Sequence, residues 1–202
     1  MDADTVTESD HSEGTARRRR DAAATRLALL GAARRLVAEH GVEGTSTRDV
    51  ANAIGVNQAL VYRYFGSKEK LLAEAVSTGM PVQDDLMEQV PLHVLPRVLL
   101  DRVLDATAGK ADQPGGFSAW VTAANDETIR ALIRERVDVA FGTQLAARLD
   151  EPDAALRAEL FAALLTGIGF LREKVGTPAL TGADRDTLGH YVDELAAALF
   201  AR

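Results

Sequence analysis

The sequence predicts an all-α fold: a small N-terminal helical unit followed by a larger C-terminal helical bundle, about nine to ten helices in all. Three observations carry that prediction. Apolar residues recur at helical spacing through most of the chain. Gly and Pro punctuate those stretches rather than interrupting them. No Val/Ile/Thr-rich alternating run bounded by turns marks a strand. With 202 residues, 47% of them hydrophobic, the chain is long enough to bury a core without staples.

Residues 1–16 are small, acidic and polar, and read as a disordered tail. Arg17–Arg20 follow as a basic arm, so the tail unit is 1–20. From Asp21 to about His40, Leu29, Ala32, Ala33, Leu36 and Val37 form one stripe of an amphipathic helix, and Gly41 stops it. A second, short helix opens among the hydroxyls of Thr45–Thr47 and turns Val50, Ala51 and Ile54 inward. Gly55 closes it. The third runs from its N-cap Asn57 to Phe65, Gly66 ends it, and Ser67 caps a linking fourth helix at about 68–78. Residues 21–68 thus make one domain and 79–202 another. In the second, helices fall near 82–90, 96–108, 117–124, 126–149, 153–175 and 184–201. Pro91, Pro96, Gly109, Pro114-Gly115-Gly116, Pro152, Gly176-Thr177-Pro178 and Gly182 separate them.

Composition excludes several functions. The absence of cysteine removes disulfides, thiolate metal sites and cysteine catalysis. Four histidines, at 11, 40, 93 and 190, have no metal-ligand spacing. There are no paired carboxylates with a histidine, no HExxH, no Gly-rich phosphate loop and no nucleophile elbow, so neither an enzyme nor a cofactor is expected. No apolar run approaches the roughly 20 residues that span a bilayer, and the acidic N-terminus is no secretory signal. The expectation is a soluble, cytoplasmic protein with no membrane partner. Its net charge of −7 is unevenly spread. Residues 15–70 carry eleven Lys and Arg against five Asp and Glu, whereas residues 71–202 carry twelve against twenty. A basic block on an acidic body suits one module that meets a polyanion and another that does not.

The informative stretch is Thr45 to Leu72. Two short helices joined through Gly55-Val56 have the spacing of a helix-turn-helix, whose second helix lies in the major groove of DNA. Val50, Ala51, Ile54, Val56, Val61 and Phe65 form its small core, and Ala51 and Gly55 allow close approach and a sharp turn. Outside the third helix stand Gln58, Ala59, Leu60, Tyr62, Arg63 and Tyr64. No Asp or Glu occurs between Asp49 and Glu69, which fits a surface meeting phosphates. The alternative is an ordinary helical hairpin whose Tyr and Leu belong to a core.

The run Gly41-Val42-Glu43-Gly44-Thr45 through Val50-Ala51-Asn52-Ala53-Ile54-Gly55-Val56, then Leu60-Val61-Tyr62-Arg63-Tyr64-Phe65 and Lys68, closely resembles the N-terminal domain of the TetR family of bacterial transcriptional regulators. The resemblance covers roughly residues 21–75. It implies a homodimeric repressor that binds a pseudo-palindromic double-stranded DNA operator and is released by a small-molecule effector. The alternatives are a DNA-binding regulator without an effector and, less favoured, an all-α enzyme. Carried over residue by residue, Arg48 reaches a base edge, a phosphate or a helix-surface ion pair, and Gln58, opening the recognition helix behind Asn57, pairs with adenine. Ala59 and Leu60 pack on thymine methyls or let the backbone approach. Leu60 departs from the small polar residue common there and leaves the operator preference open. Tyr62 and Tyr64 hydrogen-bond phosphates, Arg63 takes a base or a phosphate, and Thr47 and Lys68 bracket the motif as phosphate contacts. Arg17–Arg20 either follow the DNA or are a solvated run.

The same resemblance assigns dimerisation to the last two long helices. The candidates are Leu156, Leu160, Ala163, Leu164, Gly167 and Ile168 on one, and Leu188, Tyr191, Val192, Leu195 and Leu199 on the other. Small residues there permit close helix approach across a two-fold axis. Effector-pocket candidates between about 80 and 175 are Met80, Met87, His93, Phe117, Trp120, Phe141 and Phe170, residue types that ordinary interiors also use.

Overall fold

The helical text becomes eleven α-helices among the described residues in a computed structural model, which describes residues 7–78, 84–108, 116–150 and 152–200. In order they are α1 (Thr7–His40), α2 (Thr47–Ala53), α3 (Gln58–Phe65), α4 (Lys68–Thr78), α5 (Asp84–Gln89), α6 (Leu95–Thr107), α7 (Gly116–Ala123), α8 (Glu127–Val137), α9 (Ala154–Phe170), α10 (Pro178–Gly182) and α11 (Arg185–Phe200). The described residues contain no strand. α8 continues through a π-helical segment, Asp138–Leu145, and a 3-10 turn, Ala146–Arg148; α9 continues through a second π segment, Leu171–Val175.

Three expectations change. α1 begins at Thr7, not near Asp21, so the backbone of the Arg17–Arg20 arm is helical and the expected tail is helical from residue 7; residues 1–6 lie outside the described residues. The cause is propagation. Once Leu29–Val37 fix a helix by packing, each residue added upstream gains a backbone bond without a new nucleus, and Ala, Arg and Glu resist it little. α10 is the additional helix. Gly176-Thr177-Pro178 reads as pure punctuation, yet Pro178 at the first helical position is pre-set for a helix start. The third change concerns Ala154–Val175, a 22-residue helix long and apolar enough, by length and composition, to cross a membrane. It is apolar on two sides: Ala158, Phe161, Leu165 and Ile168 face the core, while Leu156 and Leu160 are at least half exposed.

Two apolar cores hold the fold. The first joins Leu29, Ala33 and Val37 of α1, Val50 and Ala51 of α2, Val61 and Phe65 of α3 and Leu71, Leu72 and Ala75 of α4. Ala119 and Ala123 of α7 and Ile129 of α8 belong to it too. A cut between residues 78 and 79 therefore divides the chain but not this core. The second core gathers Met87, Leu99, Val103, Phe141, Leu145, Phe161, Leu165, Leu188 and Val192. α8 with its π extension is a rod shared by both: Ile129 lies in the first core, Phe141 and Leu145 in the second. Asp126 caps the rod, its Oδ1 accepting the Ile129 N–H at 3.0 Å.

Polar contacts reinforce the seams. Arg185 of α11 pairs with Asp101 and Asp105 of α6 at 2.7 and 2.6 Å. Lys174, in the π extension of α9, donates from Nζ to the Ala38 carbonyl near the C-terminus of α1 at 3.1 Å, where a helix attracts cations. Arg34 of α1 is 3% exposed. Its Nη1 donates to Thr78 Oγ1 at 3.1 Å, but its Nε finds no acceptor. Burial, with Arg35 adding to it, pushes its pKa down to about 10.

Two stability outcomes follow. Phe161→Ala deletes a fully buried ring that meets Phe200 edge-on at 5.1 Å and should cost about 3–5 kcal/mol, read as a lower urea midpoint; a loss below half of that would mean the core collapses around it. Arg34→Met keeps the packing stem and removes a poorly compensated charge. Thr78 keeps its own bond to the Glu74 carbonyl, so the variant should be neutral or more stable by about 1 kcal/mol; a clear fall in melting temperature would contradict this.

Candidate nucleic-acid interface

Short helices need their ends satisfied, and α2 and α3 have nearly every device for it. Ser46 and Asp49 form a capping box: Ser46 Oγ accepts the Asp49 N–H at 3.1 Å, and the Asp49 carboxylate accepts the Ser46 N–H at 3.3 Å. The Ser46 hydroxyl also donates to that carboxylate at 2.5 Å, and this bond chiefly holds Asp49 below the usual carboxylate pKa. At the other end of α2 the Val56 N–H returns to the Ala51 carbonyl at 3.0 Å and the Gly55 N–H to that of Asn52 at 3.1 Å. That pair is a Schellman motif, and it needs the left-handed Gly55, at φ +70°. Asn57 caps α3 as expected, its Oδ1 accepting the Ala59 N–H at 2.8 Å. Ser67 accepts the Lys70 N–H at 3.2 Å in the first turn of α4.

These caps fix a small network between the two helices. Thr47, in the first turn of α2, is 5% exposed. Its Oγ1 accepts from Gln58 Nε2 at 2.7 Å and lies 3.3 Å from Tyr62 Oη. Thr47 is thus no outward-facing phosphate contact; it is the buried anchor that orients Gln58 and Tyr62. Gln58 keeps its Oε1 uncommitted, and the Tyr62 side faces out, 49% exposed. Arg48, Asn57, Ala59 and Arg63 are exposed around them, with Leu60 and Lys68 half-buried. Among the described residues, none holds Arg48, Arg63 or Lys68 in a hydrogen bond or ion pair. The Tyr64 ring is half-buried on the first core, edge-on to Phe65 at 6.3 Å. Beneath, Arg26 lies 4.9 Å over the Phe65 ring and pairs with Glu74 at 2.6 Å, locking α1 to α4. Asp49, legible only as the edge of the acid-free stretch, is a cap residue; its signal was the Ser-x-x-Asp spacing.

The candidate effector residues do not converge. Met80 lies outside the described residues, as does the side chain of Phe117. Met87 and Phe141 are buried in the second core and Trp120 packs on the first. His93 is exposed in the turn before α6. Phe170, 39% exposed, alone lines a groove, with Val121, Val137, Glu159, Ala162 and Thr166. The dimer candidates divide into two sets. Leu156, Leu160 and Ala163 on α9 and Tyr191 and Leu195 on α11 are exposed, with Leu164 and Gly167 partly so. Ile168, Leu188 and Val192 face this chain's own core, and Leu199 packs against it. A single helix stripe covers less than the full apolar arc, so the residues at its inner edge serve the intrachain core.

Comparison with known proteins agrees with this geometry. Residues 29–75 match the family described as bacterial regulatory proteins, tetR family, and residues 94–199 match the tetracyclin repressor-like C-terminal domain. The HTH-type transcriptional regulator BetI of Agrobacterium fabrum is 32% identical over 154 residues, which cover 71% of this chain and 74% of that protein. A TetR-family regulator from Streptomyces coelicolor has a TM-score of 0.60 at 26% identity, covering 87% of this chain and 94% of that one. A transcriptional regulator from Saccharomonospora viridis, solved in complex with choline, shares the fold at 20% identity and a TM-score of 0.60, over 85% of this chain and 95% of its own. The chain is therefore a DNA-binding transcriptional regulator and belongs to the TetR family.

Proposed function

We propose that this regulator is a homodimeric repressor that sets α3 of each protomer in the major groove of a pseudo-palindromic operator and leaves it when a small molecule binds the helical body. The observation that carries the reading is the outer face of α2 and α3: Arg48, Tyr62 and Arg63 are exposed, residues 50–68 hold no acid, and Gln58 and Tyr62 are oriented by buried Thr47. Gln58 and Arg48 read bases, and Tyr62, Arg63, Asn57 through its amide NH2, and Lys68 hold phosphates. Dimerisation is supported by the α9–α11 face, where Leu156 and Tyr191 are 57% and 60% exposed, Leu160 and Leu195 about half. An apolar stripe this long is what a two-fold partner covers. The choline held by the S. viridis regulator supports an effector within this fold.

Selection of bound sequences from random duplex DNA tests the proposal directly. It should return an inverted repeat with half-sites about one or two turns apart; an unselected pool, or a single asymmetric site, would refute it. On the selected duplex, Gln58→Ala should cost about 1–3 kcal/mol and cost little on random DNA, whereas Lys68→Ala should weaken both and flatten the salt dependence by about one ion. Equal losses for Gln58→Ala on both duplexes would remove it from base reading. Leu160→Glu with Leu195→Glu places like charges on the stripe. In sedimentation it should give monomers that keep native helix content and bind the full operator at least tenfold more weakly; an unchanged dimer would place the interface elsewhere.

A further inference from the structure

An open groove of about 490 Å³ lies between α7, the end of α8 and α9, within the usual range for small-molecule sites. Its walls are apolar, with Val121, Val137, Ala162 and Thr166 lining it and the exposed Phe170 ring at one end, and it borders the candidate dimer face, two of whose residues, Ala163 and Gly167, line it too. Glu159 stands at the other end, where a second hollow of about 550 Å³ adjoins, lined by Glu135, Asp138 and Arg134 and sharing Val137 and Glu159 with the first.

The charges at this junction are unbalanced, three carboxylates to one guanidinium. Among the described residues none of the three carboxylates takes part in a hydrogen bond or ion pair. Asp138 and Glu159 also converge. A Cβ placed on Gly142 would lie 2.8 Å from Asp138 Oδ1 and 3.9 Å from Glu159 Oε1, so the two oxygens are less than about 7 Å apart across a residue that has no side chain to separate them. An aromatic ring at one end, aliphatic walls and two converging carboxylates at the other complement one kind of occupant: a small organic cation with an apolar body. The carboxylates attract its charge, and the aliphatic walls and the ring accept its carbon.

We propose that this groove is the effector site and that its ligand is an amphiphilic organic cation such as an amine or a quaternary ammonium; the inference rests on the reading of the chain as an effector-released repressor. The position explains how occupancy would be felt. Val121 sits on α7, whose Ala119 and Ala123 are packed in the core of the DNA-reading unit. Opposite, Ala162 and Phe170 belong to α9, which bears the exposed stripe Leu156 and Leu160. A molecule lodged between them touches both the element that moves with the reading helices and the element that meets the partner. It biases their relative placement if it binds one spacing better than the other. The π-helical segment that begins at Asp138 lies beside the groove, and such segments are frequent at functional sites.

The test uses the full chain, the selected duplex and three probes that share a ring but differ in charge: benzyltrimethylammonium, benzyl alcohol and benzoate. By titration calorimetry the cation should bind at least tenfold more tightly than either of the others, and it should raise the melting temperature and weaken duplex binding. Glu159→Gln and Asp138→Asn should each weaken the cation by about tenfold, the equivalent of 1.4 kcal/mol, while leaving the melting temperature and the affinity of the unliganded protein for DNA unchanged. Gly142→Ala, which crowds Asp138, should weaken the cation in the same way. Benzoate binding as well as the cation, full affinity in the Gln and Asn variants, or cation binding without any effect on the duplex would each overturn the assignment. So would absence of cation binding at millimolar concentration. If those variants changed the sedimentation of the dimer and no cation bound, the groove would belong to a contact between protomers. A protein that bound no duplex at all would refute the repressor reading itself, whereas duplex binding without cation capture refutes only this site.

Discussion

The structure depends on a rod that belongs to two interiors at once. α8 and its π extension carry Ile129 into the core of the DNA-reading unit and Phe141 and Leu145 into the core of the body. With Ala119 and Ala123 of α7 packed beside α1 and α4, the reading unit is not a bead on a linker. It shares buried apolar surface with the body, and such surface is the dominant stabilising term in any fold. The close packing of that shared interior makes rearrangement stepwise rather than continuous.

The same economy appears at the interface. α2 and α3 are seven and eight residues long, too short to be stable alone. Their ends are held by a capping box, a Schellman turn and an Asn cap, and their mutual angle by a small core. The Thr47 hydroxyl then ties Gln58 and Tyr62 to that frame. Gln58 and Tyr62 are therefore partly ordered before any partner arrives, which lowers the entropy lost on association. Asp49, the last acid before the recognition helix, is occupied by Ser46 rather than facing the phosphates alone.

Features written in local chemistry were legible in the sequence. Gly41, Gly55 and Gly66 mark helix ends, and each has positive φ. Asn57 was readable as a cap, and the inward set Val50, Ala51, Val61 and Phe65 as a core, since spacing alone decides them. Features that depend on distant partners were not legible. Thr47 has the composition of a phosphate ligand, and only the approach of Gln58, eleven residues on, shows that its hydroxyl is engaged. Aromatic and Met residues marked no single pocket, because interiors use the same types: Phe141 is buried in the second core, whereas Phe170 is exposed at a groove. Along the stripes of α9 and α11, Leu156 and Tyr191 are exposed, but Ile168 and Val192 lie inside a boundary set by tertiary packing. The reach of α1 back to Thr7 has no apolar signature at all, since it comes from propagation.

The bond from Lys174 to the Ala38 carbonyl has a mechanical meaning. The helix that offers its apolar side outward ends in an ammonium seated on the last turn of the helix that buttresses the reading unit. A pivot of one upon the other must therefore pull a cation away from a negative dipole end. The contact acts as a weak latch, worth a fraction of a kcal/mol to about 1 kcal/mol in such exposed settings, and it is loosened by salt as well as by torque. Ionic strength thus acts on this molecule at two places, outside on the phosphates and inside on its own joint.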